Sequence, residues 1–132
     1  MTALNADVVI VPTGRLPNME VFEQHDDQPH AVSSWGTISG DEKPAGNFLI
    51  YDECGDHPAL QAAGIAAKAG ASVETMTPHR ILSADVMAMN LVPYMRSFQD
   101  MDATFTVTRH REGISRSGNK LIATIGAEHI EL

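Results

Sequence analysis

A single cysteine, Cys54, stands among 132 residues, so no internal disulfide can form. Basic residues are also scarce. Nine Lys and Arg against seventeen Asp and Glu leave a net charge of −8, which disfavours nucleic acid and anionic membranes as partners. No apolar run approaches the ~20 residues of a membrane span. The opening residues Met1–Thr2–Ala3–Leu4–Asn5 lack a charged stretch followed by an apolar one, so no signal peptide is apparent and a cytoplasmic location is expected. The G-x-S-x-G, P-loop and H-E-x-x-H patterns are missing, and no Ser-His-Asp order stands out. What is present is an ordinary globular composition, 43% hydrophobic and 20% charged. The length suits one domain with a real core.

The apolar runs alternate with helical patterns. Asp7–Val8–Val9–Ile10–Val11 reads as a buried strand closed by Pro12–Thr13–Gly14. An irregular stretch follows, in which Ser33 or Ser34 is placed to cap a short helix through Trp35 and Ile38. Phe48–Leu49–Ile50–Tyr51 is the second strand. A helix is predicted over 58–69, with Pro58 in its first turn, small residues on one face (Leu60, Ala63, Gly64, Ala67) and Gly70 as its left-handed cap. Residues 71–76 form the next strand. A second helix is predicted over 84–100, capped by Ser83 and kinked or restarted at Pro93. Met87, Met89, Met95 and Met101 read as adaptable core filler there. A strand over 103–107 and a hairpin (109–114 with 120–125) complete the order. The cluster Arg109, Arg111, Arg116 and Lys120 decorates that hairpin as a solvated face. The fold class is therefore α/β: a Rossmann-like parallel sheet flanked by helices, with an antiparallel hairpin. The chain divides into a strand and connecting segment, 1–46, and the Rossmann-like unit, 47–132.

The segment Tyr51–Asp52–Glu53–Cys54–Gly55–Asp56–His57–Pro58 is the strand-to-helix turn where a dinucleotide-binding domain carries G-x-G-x-x-G. Asp52, Cys54 and His57 fall at the three glycine positions, and Gly55 lies between them. A carboxylate ~4 Å from a phosphate costs ~1 kcal/mol in water and ~4 at an effective dielectric near 20. Two or three such acids outweigh a helix N-terminus worth ~0.3–2 kcal/mol. Useful NAD(P)H binding is therefore not expected. Asp56 is instead placed to accept from the first-turn N–H groups of the helix. Asp52, Glu53, Cys54, Asp56 and His57 are all metal-ligand types, but neighbours on one turn rarely converge on an ion and zinc spacings are absent, so no metal site is expected. Cys54 reads as a reduced thiol rather than a nucleophile paired with His57. The remaining histidines, His79 and His110 among them, read as surface residues, and no catalytic residue is assigned.

Val8–Val9–Ile10–Val11–Pro12–Thr13–Gly14–Arg15–Leu16–Pro17 resembles the strand and A-T-G motif of two-dinucleotide flavoproteins, with Pro12 where alanine is usual. Together with Tyr51–Asp52–Glu53–Cys54–Gly55–Asp56–His57, it resembles the C-terminal NAD(P)-binding-like domain of the trimethylamine, dimethylamine and histamine dehydrogenase family, N-methylproline demethylases and dimethylglycine-catabolising members above all. The resemblance implies a much longer parent that oxidatively demethylates or deaminates small amines. Its TIM barrel would carry FMN and a [4Fe–4S] cluster, and two further domains would resemble FAD and NAD(P)H domains, this unit matching the second. One cysteine cannot hold that cluster. The expectation is a structural, interdomain unit that binds no cofactor itself, whose partners are the barrel and FAD-like domains. Thr13, Gly14, Asp52, Cys54, Gly55 and His57 mark the degenerate nucleotide positions. The exceptions left open are ADP held by the FAD-like domain and approached by Thr13 and Gly14, and NAD(P) at the turn. Self-association of the isolated chain is expected. Two alternatives stay open: an independent small-ligand or interaction module, and a live NAD(P)H domain like that of 2,4-dienoyl-CoA reductases.

Overall fold

A computed structural model describes residues 31–118 and 120–127. The expected first strand at 7–11, with Thr13 and Gly14, lies outside the described residues.

α1 (Ser34–Ser39) begins at Ser33, whose hydroxyl accepts from the Trp35 N–H. β1 (Asn47–Tyr51) leads through the acidic turn into α2 (His57–Lys68), and β2 (Ser72–Met76) follows. α3 (Ala88–Ser97) connects to β3 (Ala103–Thr106). β1, β2 and β3 form one parallel sheet in that order, with Asn47 opposite Ser72 and Val73 opposite Ala103. β4 (Arg109–Ser117) and β5 (Lys120–Ala127) make a separate antiparallel ribbon with an irregularity between Arg111 and Gly113. Parallel neighbours need a crossover, and the helical patterns between the apolar runs supply two.

α2 carries the core. Ala59, Leu60, Ala62, Ala63 and Ala66 are buried, and they meet Ile50, Val73, Val86 and Phe98. Alanines let the helix lie close to the sheet while keeping the best helix propensity. Its end is a Schellman closure. Gly70 takes φ +88°, its N–H donates to Ala67 O, and the Ala71 N–H donates to Ala66 O. Phe98, just past α3, packs edge-on against Phe105 with ring centroids 5.1 Å apart.

Three expectations fail here. The second helix starts at Ala88, not Ala84, and runs through Pro93 without a break between them. Ser83 does not cap it: Ser83 is buried at φ 49°, and residues 81–86 form turns. The helix instead begins at Met87 with no side-chain cap. Met87 and Met89 are exposed rather than core filler, while Met101 does pack against the core.

Candidate functional site at the C-terminal edge of the sheet

Open parallel sheets bind ligands beyond the carboxyl ends of their strands. In this chain that edge is made by the turn after β1, the loop after β2 and the start of the hairpin.

The turn after β1 folds onto itself. Asp52 follows the strand, donating its own N–H to Met76 O, and it turns its side chain inward to 3% exposure. Its Oδ1 accepts the Gly55 N–H at 2.8 Å. Gly55 sits at φ +71°, and a Cβ there would stand 3.2 Å from the Ala84 backbone nitrogen. Asp56 then caps α2, its Oδ1 accepting the His57 N–H at 2.7 Å. The acids are thus divided. Asp52 closes the turn, Asp56 serves the helix as expected, and Glu53 stays exposed.

The residues at the three former glycine positions do not converge. Asp52 points in, the Cys54 thiol is exposed, and His57 is half-buried with Nδ1 3.1 Å from the Tyr94 hydroxyl. No cluster of three or more metal-ligating side chains exists among the described residues.

The loop after β2 locks over the turn. His79 Nε2 lies 2.9 Å from Glu53 O, so that nitrogen carries the proton and donates. The Asp85 N–H donates to Gly55 O at 2.9 Å. Ser83 Oγ and Asp52 Oδ2 are both buried, and neither has a partner in good hydrogen-bonding geometry. Burial pushes the Asp52 carboxyl above its ordinary value, and the nearby Asp56 charge adds to the rise. The Gly55 N–H, His79 and the Ser83 hydroxyl oppose it. The loop continues toward the hairpin, with the Thr108 N–H donating to His79 O and the Arg109 N–H to Thr77 O. His79 is therefore a half-buried connector, not the surface residue that its isolated place in the sequence suggested.

The hairpin closes the other side. The Tyr51 hydroxyl lies 3.3 Å from His110 Nδ1, and the Arg111 guanidinium sits 5.8 Å over the Tyr51 ring. Burial raises the Tyr51 pKa. Of the basic cluster, Arg109, Arg116 and Lys120 are exposed as expected, and Arg111 is half-buried. A separate open groove of about 500 Å³ runs between α1 and α2, lined by Trp35, Ile38, Asp41, Pro58 and Gln61.

No protein-family model matches the chain. Over 127 residues, 96% of this chain, it is 53% identical to a probable N-methylproline demethylase of Rhizobium meliloti. It is 27% identical over 131 residues to the N,N-dimethylglycine/sarcosine dehydrogenase of Chromohalobacter salexigens. The chain spans 18% and 19% of the length of these two relatives. In fold it resembles part of the 6-hydroxypseudooxynicotine amine oxidase of Pseudomonas geniculata N1, with a TM-score of 0.60 and 22% identity over 76% of this chain and 16% of that one.

Proposed function

We propose, for a chain that is by homology a segment of the trimethylamine, dimethylamine and histamine dehydrogenase family, a structural role inside a larger flavin-dependent oxidoreductase. The whole enzyme would oxidise the N-methyl group of a small secondary or tertiary amine, as the names of the two curated relatives suggest. This segment would contribute no reacting group. FMN and a [4Fe–4S] cluster would belong to the rest of the polypeptide, since Cys54 alone cannot supply the thiolates of such a cluster.

One observation carries the reading. The Gly55 N–H, the backbone donor that a pyrophosphate would need at this turn, is already taken by Asp52 Oδ1. The residues present do not fit NAD(P). The donor is occupied, Asp56 already caps the helix that would face a phosphate, and Ala84 crowds Gly55. Exposed apolar side chains fit the interdomain part of the role. Ile81 stands in the loop before α3, and Met87, Met89 and Val92 at the start of that helix and on its outer side. The remaining domains of the longer polypeptide are the partners this surface would meet.

Titration of the chain with NADH and with NADPH, followed by coenzyme fluorescence, tests the reading. No saturation into the millimolar range is expected. A micromolar dissociation constant would restore the live NAD(P)H domain. The groove beside Trp35 favours a second reading, a small-ligand module. Quenching of the one tryptophan across a panel of small amines and aromatic acids checks it, and a flat response rejects it.

A further inference from the structure

We propose that the β4–β5 ribbon docks by one face into the groove between α1 and α2 of a second copy of this chain. The inference goes beyond the structural role of the segment and does not depend on the state of the turn after β1.

Pairing sets what that face carries. Residues directly opposite in an antiparallel pair share a face, and alternate residues along each strand return to it. Arg111 lies opposite Ile125, Ile114 opposite Ala123 and Arg116 opposite Leu121, so these pairs fall on one side. Arg109, two residues before Arg111, returns to the same side. The one acid of the segment, Glu112, is turned away: its carboxyl lies where a side chain at Gly126 would stand, and Gly126 is paired with His110 on the opposite side. Four of the nine Lys and Arg of a chain with net charge −8 thus gather between 109 and 120. Leu121 and Ile125 are 48% and 42% exposed, and Arg109 and Arg116 are exposed beside them. The ribbon is tied to the domain at its base, by the Thr108 N–H on His79 O, the Arg109 N–H on Thr77 O and Tyr51 beside His110. A two-stranded hairpin is marginal in water unless a further surface covers one of its faces.

The groove supplies the complement. Trp35 and Ile38 line it at 44% and 37% exposure, together with Pro58 and Gln61 of α2. Asp41 also lines it, and the Glu42 side chain is held against α1, its Cγ 3.1 Å from where a Cβ of Gly36 would stand. Both acids are exposed. A concave apolar wall with carboxylates beside it fits apolar side chains flanked by guanidiniums, which bind carboxylates in planar, two-pronged geometry. A volume of about 500 Å³ admits a few side chains, Leu121 and Ile125 among them, rather than a whole folded element. The net charge of −8 works against a nucleic acid or an anionic membrane on the same ribbon face. Each copy carries both halves, so the contact joins unlike patches of identical chains.

Sedimentation velocity of the 132-residue chain, over a dilution series into the millimolar range, tests the docking. A species larger than the monomer should form at high concentration and recede as salt is raised, since exposed charge pairs are screened. Emission of Trp35, the one tryptophan, should shift over the same range. Arg116→Glu and Asp41→Arg should each weaken association about tenfold or more. Mixing the two variants should restore it, because the reversed ribbon then meets the reversed groove and the intact ribbon the intact groove. Met89→Ser, on the outer side of α3, should leave association unchanged. A monomer throughout the series overturns the proposal. So does association that outlasts high salt or either charge reversal, a mixture no better than its components, a Trp35 emission that stays fixed as chains associate, or dissociation by Met89→Ser. If one reversed variant fails to fold, Leu121→Ser takes its place beside the other, and association that either leaves intact overturns the docking.

Discussion

α2 and α3 both follow strands of the same sheet, yet α2 enters through a capped turn and α3 through an uncapped one. α2 has Asp56 at its start, five buried residues along its length and a Schellman closure at its end. α3 has no side-chain cap, a proline in its interior and no fully buried residue. Its inner side rests on half-buried Leu91 and Tyr94, while Met89 and Val92 face outward at 82% and 49% exposure. Hydrophobic burial is what holds most short helices, since isolated helices under ~12–15 residues are marginal in water. α2 therefore draws its stability from this domain. α3 draws less from it and presents apolar surface outward.

Substitutions can break or sharpen that contrast. Leu60→Ala, at a fully buried position of α2, should lower unfolding stability by about 2–5 kcal/mol in a denaturant titration. A loss under about 1 kcal/mol would remove α2 from its central place. Gly55→Ala should cost about 1–3 kcal/mol, because an alanine there must hold a left-handed backbone against Ala84. A neutral result in the same titration would mean the turn is looser than the geometry implies. Asp56→Ala should cost about 1 kcal/mol, seen as a lowered melting temperature. Met89→Ser, on the outer side of α3, should change stability of the 132-residue chain by no more than about 0.5 kcal/mol. A large loss at Met89 would show that α3 is already covered within this chain.

The parts of the fold that were legible in the sequence are those decided locally. Ser33 and Asp56 as caps, Gly70 as a left-handed end, and the apolar runs of β1 and β2 each depend on a few neighbouring residues. The start of α3 was not legible. Ser83 has the chemistry of a cap, but tertiary packing buries it within a turn at a left-handed φ of 49°. The candidate site was half legible. Its position, its acids and the cap at Asp56 follow from the residues, whereas the inward turn of Asp52 was missed. A signal for it existed: aspartate first and glycine fourth, Asp52 to Gly55, is a common composition for a type I turn. His79 carried no such signal, because its partner, Glu53 O, lies 26 residues away in the sequence.

The central claim is that the Gly55 N–H of the turn after β1 is held by the turn's own aspartate rather than left for a coenzyme phosphate. The most direct test is the Gly55 amide resonance recorded while NADPH is added to the chain at neutral pH. An unmoved resonance at millimolar coenzyme is the expected result, and a saturable shift of that one amide would contradict the account.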